Sequence, residues 1–305
     1  MERWVVAAKR ADFVAIGKEF GIDPVIARLI RNRDVQDRDE IRRYLYGKVD
    51  ELASPHLMKD VDKAVEILRN KIKEKKRIRI IGDYDIDGVV STFILIKGLK
   101  RAGALADTYI PDRVADGYGI HEHLIERAVN DGIDVIVTCD NGIAAYNEIT
   151  MAKEKGMTVI ITDHHEIPYK ETEDGRELIL PPADAIVNPK QPDCNYPEKR
   201  LCGAVVALKL VTALYEACGI PEKRAGRFSG IRSHCTVGDV MDLQGENRIL
   251  VKEGLKRLSH TSNKGLRELI RANGLEDGPI TAYHVGLCWD HVSMPVEDWI
   301  PLHVP

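Results

Sequence analysis

The chain has 305 residues, enough for one large or two medium domains, and 44% hydrophobic with 30% charged residues predicts a substantial folded core. Lys+Arg 44 against Asp+Glu 48 gives a net charge of -4, so a globally basic nucleic-acid binder is excluded, although a local basic groove is not. The start, Met1-Glu2-Arg3-Trp4-Val5, has no basic segment followed by an apolar one, and the most apolar stretch, Ala204 to Ile220, is broken by Lys209 and Glu216. Cys139, Cys194, Cys202, Cys218, Cys235 and Cys288 are scattered without a Cys-x-x-Cys pair, which predicts buried thiols and neither a zinc ribbon nor a disulfide framework. These features predict a soluble cytoplasmic protein with no membrane segment.

Residues 1–76 read as a helical N-terminal region. Apolar residues recur at helical spacing over Phe13 to Phe20 and Pro24 to Arg31, with Gly21 between them and Pro24 at a helix-first position. Asp37 with Glu40 forms a capping signature ahead of Ile41 to Tyr46, which Gly47 stops. Asp60 to Lys75 is a further amphipathic helix.

From Arg77 the pattern alternates. β-Branched runs lie at Ile78–Ile81, Val135–Val137 and Val159–Ile161, with helical stretches at Val89–Arg101, His121–Asn130 and Ala144–Lys155. Strands separated by helices of this length predict an α/β, doubly wound, mainly parallel sheet. Ala185–Val187 adds a short strand, followed by helices over Ala204–Ala217, Asn247–Leu258 and Leu266–Arg271. Residues 77–245 are the expected catalytic domain, 246–285 a helical linker and 286–305 an atypical tail. Glu171 to Glu177 reads as an exposed acidic loop. The densest basic run, Lys71 to Arg79, reads as a solvated helix end, and no aromatic ladder for stacking bases is evident.

Acidic and histidine clusters follow the strands. Gly82-Asp83-Tyr84-Asp85-Ile86-Asp87-Gly88 follows the first, Cys139-Asp140-Asn141-Gly142 the second, and Asp163-His164-His165-Glu166 the third; Asp239 lies in Gly238-Asp239-Val240. Ligands of open parallel sheets collect beyond the carboxyl ends of the strands, so these loops are expected to share one crevice. That many carboxylates repel one another unless protonated or neutralised by cations. Aspartate oxygens with a few imidazoles suit Mn²⁺ or Mg²⁺, and there are enough ligands for two ions. A pair of such ions roughly 3.5–4 Å apart activates a water for attack on phosphorus, which predicts phosphoester hydrolysis. Taken singly, each cluster also has a structural reading as a turn or helix cap.

Asp163-His164-His165 matches the name-giving motif of the DHH phosphoesterases, and the clusters around Asp85, Asp140 and Asp239 resemble the other motifs of that family's single-strand exonuclease branch. Val187-Asn188-Pro189-Lys190-Gln191, Leu201-Cys202-Gly203-Ala204-Val205 and Gly245-Glu246-Asn247-Arg248 agree as well. The resemblance implies a metal-dependent exonuclease acting on single-stranded DNA from the 5′ end, in repair and recombination. It implies Asp85, Asp87, Asp140, His164 and Asp239 as metal ligands, Asp83 as a sixth, and Asp140 as the bridging carboxylate. Asp163, His164 and His165 are the expected catalytic motif, with His165 facing a substrate phosphate and Asp163 orienting the histidines. Gly203 and Ala204, at a helix start, are expected to offer N–H groups to a substrate anion. Two other functions stay open: a DHH phosphodiesterase acting on short oligonucleotides or cyclic dinucleotides, and a nuclease-derived binding protein without catalysis.

After Tyr283 the family pattern stops, where a Gly-Pro-x-x-Asn-Ala-x-Gly-Arg stretch is due. Codons permitted for Gly286 to Ile300, followed by the first two bases of Pro301 and read two bases later, give Phe-Val-Leu-Gly-Pro-Cys-Ile-Asn-Ala-Ser-Gly-Arg-Leu-Asp-Thr, which contains it. A frameshift near Val285 is therefore expected, and with it a truncated catalytic domain with weakened DNA binding; resequencing the locus tests it.

Overall fold

The computed structural model describes residues 9–173, 175–221 and 235–289; the tail from 290 onward lies outside them, and with it most of the shifted-frame stretch. The chain forms two compact units that divide between Leu52 and Ala53.

The first unit holds α1 (Phe13–Phe20), α2 (Pro24–Asn32) and α3 (Arg38–Tyr46). Each starts on an aspartate whose carboxylate takes an otherwise unpaired backbone N–H: Asp12 from Ala15, Asp23 from Val25, Asp37 from Asp39. Gly21, at φ 64, ends α1 in the left-handed conformation. Ile30, Val35 and Ile41 form the buried core, with Ile16 and Phe20 packed against them.

The second unit is built on strands β1 (Arg77–Ile81), β2 (Leu105–Tyr109), β3 (Val135–Cys139), β4 (Thr158–Thr162), β5 (Tyr169–Thr172), β6 (Gly175–Leu178) and β7 (Ala185–Val187). Five of them form one sheet in the order β2-β1-β3-β4-β7, every pairing parallel. Helices α4 (Val61–Lys73), α5 (Ile86–Arg101), α6 (Glu122–Asn130), α7 (Tyr146–Glu154) and α8 (Gly203–Ala217) flank it, and α9 (Gly245–Leu258) and α10 (Lys264–Ala272) follow. Leu124, Ile125, Ile149 and Ala152 of α6 and α7 pack with Ile81, Ile136 and Ile161 of the sheet. Helices α5 and α8 lie against one another and against β3. This is the expected doubly wound α/β fold. The close approach of α5 to α8 depends on Gly98, where an added Cβ would stand 2.5 Å from Val211 Cγ2.

Several expectations need correction. β2, with sequence Leu-Ala-Asp-Thr-Tyr, has no apolar run and was not foreseen; it is an edge strand held by Arg79, which is 8% exposed and bonds Asp107 at 2.8 and 2.9 Å. Arg79 is thus a buried structural cation that also reaches Asp131 at 2.7 Å, and not part of a solvated helix end. The acidic segment 171–177 belongs to an antiparallel hairpin of β5 and β6, every strand residue of which is exposed. Among the described cysteines Cys139, Cys194, Cys202 and Cys235 are buried and Cys218 is exposed. Helix α4, read with the N-terminal region, packs on α8 and β7 in the second unit. No helix among the described residues is long and apolar enough to cross a membrane.

Candidate metal centre

From β1 the chain first adds β2 on one side, then returns to place β3 on the other, so the loops leaving β1 and β3 diverge at a switch point. The loops after β4 and β7 open at the same end.

After β1 the backbone turns at once into α5. Asp85 caps that helix, its Oδ1 accepting the Gly88 N–H at 2.9 Å, and is exposed. Asp83 and Asp87 are fully buried. Gly88 permits the turn, because a Cβ there would lie 2.5 Å from the Asp83 carbonyl oxygen. After β3, Asp140 sits at φ 60, a left-handed conformation that a short polar side chain tolerates, and its N–H donates to the Thr162 carbonyl at 3.1 Å. After β4, the Asp163 carboxylate gathers the loop ends: it accepts from the backbone N–H of Ile143, His164 and His165.

These loops bring Asp87, Asp140, His164 and Asp239 together. His164 Nε2 lies 3.0 Å from Asp140 Oδ1 and 3.7 Å from both Asp87 Oδ2 and Asp239 Oδ2. One ligand atom each from Asp87, His164 and Asp239 falls within a mutual 4.8 Å, as does one each from Asp140, His164 and His165. Asp83 and Asp85 belong to neither group among the described residues. Despite their proximity, Asp140 Oδ1, His164 Nε2 and Asp239 Oδ2 are buried with no hydrogen-bond partner, as is Asp83 Oδ2. Buried polar atoms without partners are costly, and lone pairs that converge without sharing a proton fit a divalent cation. Gly203 keeps the space clear: a Cβ there would stand 2.9 Å from Asp140 Oδ1 and from Asp87 Oδ2.

The electrostatics of the metal-free site follow from burial. Burial raises Asp83 and Asp87 to about 6 each, and raises Asp239 to about 7 with help from the charges of Asp87 and Asp85. Asp140 is pushed well up by burial and by the Asp87 charge. Burial holds His164 down to about 4, a neutral imidazole suited to ligation. Burial would also raise Asp163, but its hydrogen bonds and the His165 charge outweigh that and leave it below the ordinary value. Reciprocally, the 2.8 Å contact of His165 Nδ1 with Asp163 Oδ1 raises His165.

The expectation for Gly203 and Ala204 is corrected. Their N–H groups donate to the two oxygens of Asp87, at 2.5 and 3.0 Å, so the anion at the start of α8 is a side chain of the protein itself. Sequence reasoning missed Tyr118, whose hydroxyl lies 3.2 Å from His165 Nε2, and the aromatic row it makes. Tyr84 and Tyr118 meet edge-on at 6.4 Å, and Tyr118 and His165 at 6.2 Å. Gly117 and Gly119, both at positive φ, flank Tyr118 and were the available signal. Asn188, named above only within a family-like stretch and given no role, is fully buried and bridges the His165 carbonyl to the Lys190 N–H.

The doubly wound parallel sheet carries a carboxylate–histidine cluster beyond its strand ends, and residues 77–228 match the DHH family, N-terminal domain. The chain belongs to the DHH family. Within it the likeness is to single-stranded-DNA-specific exonuclease RecJ: the chain is 37% identical to that of Bacillus subtilis over 285 residues, 93% of this chain and 34% of the relative. Against RecJ of Escherichia coli it is 32% identical over 276 residues, 87% of this chain and 46% of the relative. The crystal structure of RecJ in complex with Mn²⁺ from Thermus thermophilus matches with a TM-score of 0.70 at 30% identity, over 90% of this chain and 37% of that one. The chain therefore spans less than half the length of these curated relatives.

Proposed function

We propose that this chain hydrolyses phosphodiester bonds of single-stranded DNA from the 5′ end, using two Mn²⁺ or Mg²⁺ ions, in DNA repair and recombination in the cytoplasm. The observation that carries it is the convergence of buried, unpartnered Asp140 Oδ1, His164 Nε2 and Asp239 Oδ2. The names of the relatives, which concern longer proteins, support the choice of single-stranded DNA.

In this reading Asp85, Asp87, Asp140, His164 and Asp239 would hold the ions, with Asp83 as a further ligand and Asp140 as the carboxylate that would serve both. The ions supply an acidified water and an electrophilic hold on the phosphate. Asp163 fixes the two histidines through their backbone N–H groups and keeps Nδ1 of His165 protonated. His165 then presents a cationic ring to a phosphate oxygen. Gly203 and Ala204 hold Asp87 as an oriented anion, the support that ligating carboxylates need. Within the chain, residues 77–245 are the proposed catalytic region, 1–76 the helical region before it and 246–285 a helical linker.

Digestion of 5′- and 3′-end-labelled single-stranded DNA, with Mn²⁺ and with chelator, tests the reading. Release of mononucleotides from the 5′ end, abolished by chelator, is expected. Hydrolysis of cyclic dinucleotides with intact single strands would transfer the assignment to a small-substrate phosphodiesterase. A separate expectation concerns Gly203→Ala: its Cβ collides with Asp87 and Asp140, so Mn²⁺ affinity falls on the order of 10- to 100-fold. Titration calorimetry measures this, and an unchanged affinity would show that the crevice widens without cost.

A further inference from the structure

A phosphodiester chain approaching this crevice meets an acidic wall. Ions held by Asp87, Asp140 and Asp239 would compensate those carboxylates at the reacting phosphate, but the flanking backbone needs cations of the protein's own. The structure places a lysine at the rim, outside the residues given roles above.

Lys190 lies three residues beyond β7, on the side of β4 from which the histidine loop emerges. Its position is fixed through Asn188, which is fully buried. Asn188 Oδ1 accepts the Lys190 N–H at 2.8 Å, while Asn188 Nδ2 donates to the His165 carbonyl at 3.0 Å. One amide side chain therefore ties the lysine's backbone to that of the second histidine. Glu166, next to His165, completes the arrangement: its Oε1 is 3.0 Å from Lys190 Nζ. The lysine side chain is 22% exposed and the glutamate 85%, so the lysine is largely covered while the anion is solvated. Such a pair stabilises little, and a doubly hydrogen-bonding phosphate competes with it well.

We infer that Lys190 is a substrate-contacting residue: its ammonium exchanges Glu166 for a non-bridging phosphate oxygen of a single strand entering beside His165. The inference rests on the reading of the site as a single-strand nuclease, and it deepens that reading by assigning a backbone contact. Lys190 takes no proton and forms no covalent bond in this role. Glu166 acts as a placeholder that keeps the ammonium at the rim until the strand arrives.

Fluorescence anisotropy with labelled oligothymidylate in Ca²⁺, run as a salt series beside Mn²⁺-dependent turnover, tests it. Lys190→Gln is expected to weaken binding about tenfold and to lower the slope of log affinity against log salt by about 0.7, the share of one phosphate on a single strand. Lys190→Arg retains the slope, and Glu166→Gln binds at least as tightly as the unaltered protein. Mn²⁺ affinity, read by calorimetry, stays unchanged in all three. If Lys190→Gln keeps the full salt slope while the unaltered protein cleaves single strands, the contact is wrong and the nuclease reading stands. A parallel loss of Mn²⁺ affinity would overturn the contact in favour of a structural role. If the unaltered protein neither binds nor cleaves oligothymidylate, both readings fall.

Discussion

Replacing Asp140 with Asn is expected to reduce hydrolysis of single-stranded DNA on the order of 10³-fold or more, in a protein that remains folded. The substitution keeps the side-chain shape and, because Asn tolerates the left-handed conformation at φ 60, keeps the turn after β3. What it removes is the charge. In the metal-free protein that charge is a burden, opposed by burial and by Asp87, Asp85, Asp163 and Asp239. Thermal stability without metal should therefore hold or rise. With Mn²⁺ the balance reverses, because the ligand proposed to be shared by both ions has become a neutral amide. The two measurements together separate a functional loss from a folding loss. Near-normal turnover by the Asn variant would remove Asp140 from the proposed centre.

The strands that position the site were legible because β1, β3 and β4 are buried central strands, whose β-branched runs admit little else. β2 was hidden by its edge position, where Asp107 pairs with Arg79 and no apolar run is demanded. The β5–β6 hairpin was hidden for a related reason: all its strand residues face solvent, so no burial pattern marks it. At the site the aspartates at alternate positions suggested equivalent ligands. The strand ends at Ile81 and α5 begins at Ile86, however, so Asp83 and Asp87 are buried while Asp85 becomes an exposed helix cap.

Gly203 and Ala204 show the limit from another direction. A helix start does attract an anion, as read, but which anion depends on a contact with a residue more than a hundred positions earlier. The packing of α5 against α8, close at Gly98, brings the start of α5 and its Asp87 to those N–H groups. Tyr118 likewise reaches His165 through a loop whose two positive-φ glycines advertise a turn and not its destination.

Mn²⁺ affinity is expected to climb steeply with pH, by at least about tenfold from pH 6 to pH 8, and the metal-free protein is expected to lose stability over the same interval. Asp83 and Asp87 are raised from 3.8 to about 6 and Asp239 to about 7 when no ion is present. A carboxyl raised on folding favours the folded state most below its unfolded value, near pH 4, and that contribution disappears as pH rises through the folded values. His164, lowered from 6.5 to about 4, works the other way: its contribution is full above pH 6.5 and is lost as pH falls toward 4. Three raised carboxyls, with Asp140 beside them, outweigh one depressed imidazole, so the metal-free protein should be more stable near pH 5 than near pH 8. A cation competes with the protons on those same oxygens. Binding therefore releases protons, and its thermal stabilisation should be small near pH 5 and large near pH 8. Calorimetry in two buffers of different ionisation enthalpy counts the protons released. Asp239→Asn should flatten the profile most around pH 7, where that carboxyl titrates. Affinity that stays level across this range, with no protons released, would mean that the carboxylates are already ionised and that the crevice owes its shape to something other than cation binding.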